Sequence, residues 1–262
     1  MPVDPSGFWG VPTASIDWCE QNYVVTRFVA EFWNTVSSLA MVVAGLVGLS
    51  TRRFAREIRI AFGLLFLVGL GSVAFHATLR FELQMLDELP MLYLVTWLTW
   101  LLVETGPGRR LGGWFPAVLI AYVLLATAGA TLNRGHPQFL AFHVSFGSLE
   151  IFCLARVTWI ALRPENRPVR TWFTLGLAAY ATGIAIWFVD LEACARVSGL
   201  QLHAGWHVLV SIGFFLLLAV ISFDRRRRRG EGPVTAERTG PPLAPRPAAA
   251  PPPPPAGSPR RP

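Results

Sequence analysis

Lysine is absent. All 23 basic residues of the 262-residue chain are arginine, and they stand between apolar segments rather than in one patch. A formal charge of +7 would otherwise invite nucleic acid; this distribution argues against that reading and is a topology signal instead. Charge of either sign is scarce, at 15% of residues, against 53% hydrophobic side chains and a mean hydropathy of +0.45. That balance is too apolar for one soluble domain and points to a polytopic membrane protein. Met1 to Gly10 lacks both a basic stretch and a small-residue cleavage site, so no cleaved signal peptide is expected.

What is present is a series of seven apolar segments, each long enough to cross roughly 30 Å of hydrocarbon as a helix. They run from Phe32 to Leu49, Ile60 to Leu79, Leu86 to Val103, Trp114 to Leu132, Phe139 to Leu162, Trp172 to Leu191 and Leu202 to Phe223. Strands are excluded because open sheet edges are not tolerated in lipid. The expected fold is an all-α membrane protein, a seven-transmembrane helix bundle. Three regions follow: an outer N-terminal segment (1–31), the helical domain (32–223) and a tail (224–262). Beyond Gly230 the tail is rich in Pro, Ala, Gly and Arg, which cannot build a core and reads as disordered.

Orientation follows from the arginines. Arg52, Arg53, Arg56, Arg59, Arg109, Arg110, Arg163, Arg167, Arg170 and Arg225 to Arg229 fall on one side; only Arg27, Arg80, Arg134 and Arg196 fall on the other. The positive-inside rule then sets the N-terminus extracellular or luminal and the C-terminus cytosolic. An integral multi-pass protein of the endoplasmic reticulum or Golgi is expected in a eukaryote, and of the cytoplasmic membrane in a bacterium.

Depth brings the polar residues together. His203 and His207 are four apart at the head of the seventh segment, on one helical face and about 6 Å from each other. Ser72 and His76, also four apart, fall in the outer turns of the second segment, and Asp87 begins the third after a short outer loop, Arg80 to Gln84. Three histidines, a carboxylate and a hydroxyl from three helices thus meet at one level, and ionisable groups inside a membrane are functional by default. His76, His203 and His207 suit a mononuclear zinc with an open fourth position, the hydrolytic kind of site. A structural metal or a polar cluster tying helices together is the alternative, although a structural zinc would ordinarily close its shell with a fourth protein ligand.

The outer segment offers a second group. Asp17, Glu20, Asn22 and Glu31, with a backbone carbonyl such as that of Trp18, could provide oxygens for a hard cation such as Ca²⁺. The spacing does not match an EF-hand, and a solvated acidic turn fits it as well. Cys19 and Cys194 both fall on the outer side, so a disulfide stapling this segment over the site is expected. Cys153 reads as a packing residue, and His143 as structural. Glu150 stands near mid-membrane with no partner in view: either it binds a polar group of the substrate or it meets an interhelical donor. Asp190 is either an interfacial residue or the partner that orients a ligand histidine.

The stretches GFWG with DWCEQNYVVTRFVAEFWNTVS (17–37), GSVAFHATLRFELQMLDELPMLY (71–93) and QLHAGWHVLVSIG (201–213) resemble the alkaline ceramidase family, part of the seven-helix membrane hydrolases with S-x-x-x-H, Asp and H-x-x-x-H motifs. The resemblance covers Gly7 to Phe223. It implies an amidase that hydrolyses ceramide to a sphingoid base and a fatty acid. It further implies zinc on His76, His203 and His207, and calcium on Asp17, the Trp18 carbonyl, Glu20, Asn22 and Glu31. Gly205 departs from it, standing where relatives commonly have an aromatic. Asp87 is then expected to take the proton of the attacking water and return it to the leaving amine, with Ser72 donating to the oxyanion. Ser72 as a covalent nucleophile is disfavoured because no free histidine base accompanies it. Two other functions stand beside the amidase. One is a related receptor of the adiponectin or progestin type, with the reverse orientation; the other is a metal transporter, whose ligands would be strung across the bilayer.

Overall fold

In hydrocarbon a backbone must satisfy its own polar groups, and apolar runs of about 20 residues do so as helices. The computed structural model, which describes residues 7–104 and 111–231, has seven helices long and apolar enough to span a membrane and no strand among the described residues. They are α1 (Phe32–Ser50), α2 (Arg56–Thr78), α3 (Phe81–Val103), α4 (Trp114–Leu132), α5 (His136–Leu162), α6 (Arg170–Val197) and α7 (Leu202–Arg228). Short 3₁₀ turns, Pro164–Val169 and Ser198–Leu200, lead into and out of α6. The chain is an integral multi-pass membrane protein.

The helices overrun the apolar segments at their polar ends. α2 begins at Arg56, α3 at Phe81 and α5 at His136, while α6 continues to Val197. α7 runs through Arg225–Arg228, so the first residues of the expected tail are helical. Hydropathy marks where hydrocarbon stops; the hydrogen-bond ladder stops later, where caps and partners end it. At the arginine-rich end those partners exist. Buried Asp224 receives Arg228 at 2.7 Å, Arg227 at 3.3 Å and Asn166 Nδ2 at 2.8 Å, and Arg229 reaches Glu57 at 2.8 Å. Arg109, Arg110 and the tail from 232 onward lie outside the described residues.

The expected outer loop from Arg80 to Gln84 is a two-residue corner. Leu79, buried and in the left-handed region at φ 52°, closes α2, and Arg80 is the N-cap of α3. Asp87 therefore lies in the second turn of α3 rather than at its start. Such a conformation costs a non-glycine residue about 1–2 kcal/mol, and it is held by its surroundings: the Leu79 carbonyl accepts Thr13 N–H and Ala14 N–H, both at 3.0 Å. Residues 7–31 lie over this capped end of the bundle. Ala30 and Glu31 donate to the carbonyls of Ala77 and His76 at 2.9 Å, satisfying acceptors that a helix C-terminus leaves open. Cys19 is joined to Cys194 with Cα atoms 5.3 Å apart, as expected. Cys194 sits in the last turn of α6, just past a kink at Ala193.

Candidate functional site

Small residues let α1, α2, α3 and α7 approach closely enough for their polar groups to meet. The tightest approach to backbone is at Gly71, where a Cβ would lie 2.0 Å from the Leu86 carbonyl oxygen and 2.7 Å from Asp87 N. Any side chain there would push α3 off α2, and Ser72 and Asp87 are the residues beside the contact. The Ser72 hydroxyl lies close enough to the Asp87 carboxyl to interact with it. Ser38 of α1 donates to Ser72 Oγ at 3.0 Å.

His76, His203 and His207 are buried and converge. Their ring centroids are 4.7–5.2 Å apart, and one ring nitrogen from each lies within 4.8 Å of the others. The remaining nitrogens are taken up in part by the protein. His76 Nδ1 contacts the Glu31 carboxylate, and Ser37 Oγ lies 2.8 Å from His207 Nδ1. The Trp18 ring stacks on His203 at 3.8 Å. His76 Nε2 and His203 Nδ1 are buried with no hydrogen-bond partner. Buried polar atoms are otherwise paired, so converging, unpartnered imidazole nitrogens backed by a carboxylate and a hydroxyl fit a zinc ion.

The expected calcium group is brought together in part. Asn22 Nδ2 donates to both Asp17 oxygens at 3.1 Å, and the Asp17 and Glu31 carboxyls hydrogen-bond to each other. Two carboxyls in contact require a proton or a cation between them. Asn22 Oδ1 is buried without a partner, an acceptor that also fits a cation. Glu20, near enough to Glu31 to repel it, also accepts Trp33 N–H at 2.7 Å and Asn34 N–H at 2.9 Å at the start of α1. Burial pushes the Glu31 carboxyl up to about 7, although Asn34 and Trp18 N–H bonds oppose the shift. Glu31 belongs to both groups: Oε2 faces His76 and Asn34, and Oε1 accepts Trp18 N–H at 3.0 Å.

Other residues singled out in the sequence also find places. Asp190 accepts the backbone N–H of Cys19 at 3.3 Å and lies close to that of His203, at the start of α7. His143 stacks on Phe139 at 3.9 Å and on Trp187 at 5.4 Å, with Nδ1 donating to the Phe139 carbonyl. Glu150 accepts the Tyr180 hydroxyl proton, an interhelical donor. Cys153 is buried in the core, as expected. The sequence reading passed over Ser37, Asn34, Gln84 and Gln138. The Gln84 and Gln138 amides both donate to Glu88, next to Asp87. Their signal was available: small polar residues and amides within apolar helices are rare and usually face a site.

His203 and His207 open on a cavity of about 600 Å³, lined with them by Ser72 and Asp87 at the capped end and mostly by apolar side chains further in. A lipid chain fits such a lining, with its polar end at the histidines.

The ceramidase family model matches residues 10–239. Alkaline ceramidase 3 of Mus musculus is 32% identical over 243 residues, covering 85% of this chain and 88% of that protein. Alkaline ceramidase of Arabidopsis thaliana is 28% identical over 236 residues, covering 87% and 90%. Alkaline ceramidase 1 of Homo sapiens is 28% identical over 218 residues, covering 77% and 79%.

Proposed function

The chain belongs to the alkaline ceramidase family, amidases that hydrolyse ceramide, and from that premise we propose that it works as a zinc-dependent hydrolase within the membrane. The products are a sphingoid base and a free fatty acid. The observation that carries the reading is the convergence of His76, His203 and His207, two of them with unpartnered buried nitrogens, beside the Ser72–Asp87 pair at one end of an apolar cavity.

His76, His203 and His207 would hold the zinc, which when bound would supply Lewis-acid chemistry toward the amide carbonyl and acidify nearby water. Asp87 takes the proton from the attacking water and delivers it to the amide nitrogen as the C–N bond breaks. Ser72 holds the Asp87 carboxylate while that group waits for the proton. Once Asp87 is protonated it no longer needs the Ser72 hydrogen, which is free to turn to the developing oxyanion; Ser38 continues to donate to Ser72. Glu31 and Ser37 hold two of the imidazoles in orientation from behind.

Calcium is proposed on Asp17, the Trp18 carbonyl, Glu20, Asn22 and Glu31, supported by the Asp17–Glu31 contact and the orphaned Asn22 oxygen. Its role is to hold the outer segment, and Trp18 in particular, against His203. The capped end is proposed to face the lumen or exterior, with the arginine-rich end in the cytosol.

The test is sphingosine release from ceramide by purified protein, before and after zinc chelation and after zinc is returned. Release that chelation abolishes and zinc restores is expected. Release indifferent to chelation would remove the metal from the reaction, and no release from any N-acyl sphingoid base would sink the reading.

A further inference from the structure

The cavity carries its polar groups in two tiers. The outer tier includes Ser72, Asp87, His203 and His207, with Glu88, His143 and Glu192 also among the lining residues. The inner tier is Glu150 of α5 with Tyr180 of α6. Glu150 stands seven residues beyond His143, and Tyr180 seven residues before Trp187, and both steps lead away from the capped end. At 1.5 Å per residue the pair lies about 10 Å deeper than the stacked His143 and Trp187 rings. Phe146, Ile184 and Val210 are among the apolar side chains that line the same cavity.

A carboxyl group at that depth is costly and needs partners for both oxygens. Tyr180 O–H donates to Oε1; among the described residues no group bonds Oε2, and Glu150 lines the cavity. The Cys153 thiol, on the same stretch of α5, is turned to Thr99 Oγ1 at 3.4 Å and the Val95 carbonyl at 3.7 Å. Tyr180 is fixed from behind, since α7 passes so close that a Cβ on Gly213 would come within 2.9 Å of Tyr180 Cβ. Tying α5 to α6 would require only the one bond already made. Glu150 lines the cavity, and among the described residues its second oxygen is an acceptor without a donor.

We propose that Glu150 and Tyr180 form a chain-recognition subsite that selects ceramides bearing a hydroxyl partway along one of their two chains, the hydroxyl donating to the free Glu150 oxygen. The proposal rests on the ceramide-hydrolysis reading and adds a substrate class to it. The reactive amide stays at the outer tier, and the chain hydroxyl is met one cavity length inward.

The experiment compares kcat/KM on three lipids with purified full-length protein: N-stearoyl sphingosine, the same lipid with a mid-chain hydroxyl on the acyl group, and the same lipid with a mid-chain hydroxyl on the long-chain base. Wild type is expected to prefer one hydroxylated lipid over the plain one by about tenfold, the scale of one well-made hydrogen bond in a buried site. The two hydroxylated arms identify which chain enters. Glu150→Leu removes the preference, Glu150→Gln, which keeps an acceptor, retains part of it, and Tyr180→Phe weakens it. Equal rates on all three lipids in wild type overturn the proposal while leaving the amidase standing. So does a loss in Glu150→Leu that falls equally on every lipid, the mark of a purely structural tie. Hydrolysis of none of the three by wild type takes down the amidase reading itself.

Discussion

Glu31 is the residue on which the two proposed metal groups meet, one carboxylate oxygen toward His76 and Asn34 and the other toward Trp18 N–H. Glu31→Gln should therefore weaken zinc retention by about 10- to 100-fold, the usual cost of losing a carboxylate behind a ligand histidine; metal content after dialysis checks it, and full retention contradicts it. Burial raises this carboxyl from its ordinary 4.5 to about 7 in the cation-free chain. Between those values the folded chain holds a proton that the unfolded chain has lost, so the stability of cation-free protein falls as pH rises through the window. A bound cation replaces that proton, so the gain in thermal stability on adding calcium should be larger at pH 8 than at pH 5; melting curves at the two pH values decide it. Sequence reading found the histidines, Ser72 and Asp87 because ionisable residues stand out in apolar helices. It missed what lies behind them, since Ser37 on His207 and Glu31 on His76 are set by how α1 packs against α2 and α7, which spacing along the chain does not encode.

The helices themselves were legible wherever apolar length defines them, and misread at their ends. Leu79 shows why: nothing in its identity announces a left-handed residue, and only the Thr13 and Ala14 N–H groups on its carbonyl explain the two-residue corner that carries Asp87 one turn into α3. The contact between α2 and α3 is similarly specific. Gly71→Ala inserts a methyl against the Leu86 carbonyl and shifts Asp87 relative to Ser72 and the histidines. A displacement of that order costs about 100-fold in turnover; unchanged turnover would show that the contact is slack. At the end of α6, the Cys19–Cys194 bond closes a separation of 175 residues. Cys194→Ser should lower stability by about 2–4 kcal/mol, read as a fall in melting temperature on comparison with unreduced wild type.

As a whole the molecule is a bundle with two unlike ends, one capped by residues 7–31 over the histidines and one gathered around Asp224, Glu57 and the arginines of α7. That asymmetry was legible in the arginine distribution, and it predicts that a tag after the chain's last residue is protected in sealed right-side-out vesicles and cleaved in inverted ones. The long apolar cavity was not legible, because its walls are ordinary membrane-helix residues and only packing separates those that face it from those that face lipid. In the proposed mechanism three histidines hold zinc and Asp87 moves the proton. Zinc content and sphingosine release measured on the same purified preparations of wild type and Asp87→Asn test it most directly. The account predicts stoichiometric zinc in both and release by wild type alone; release by Asp87→Asn at the wild-type rate would contradict it.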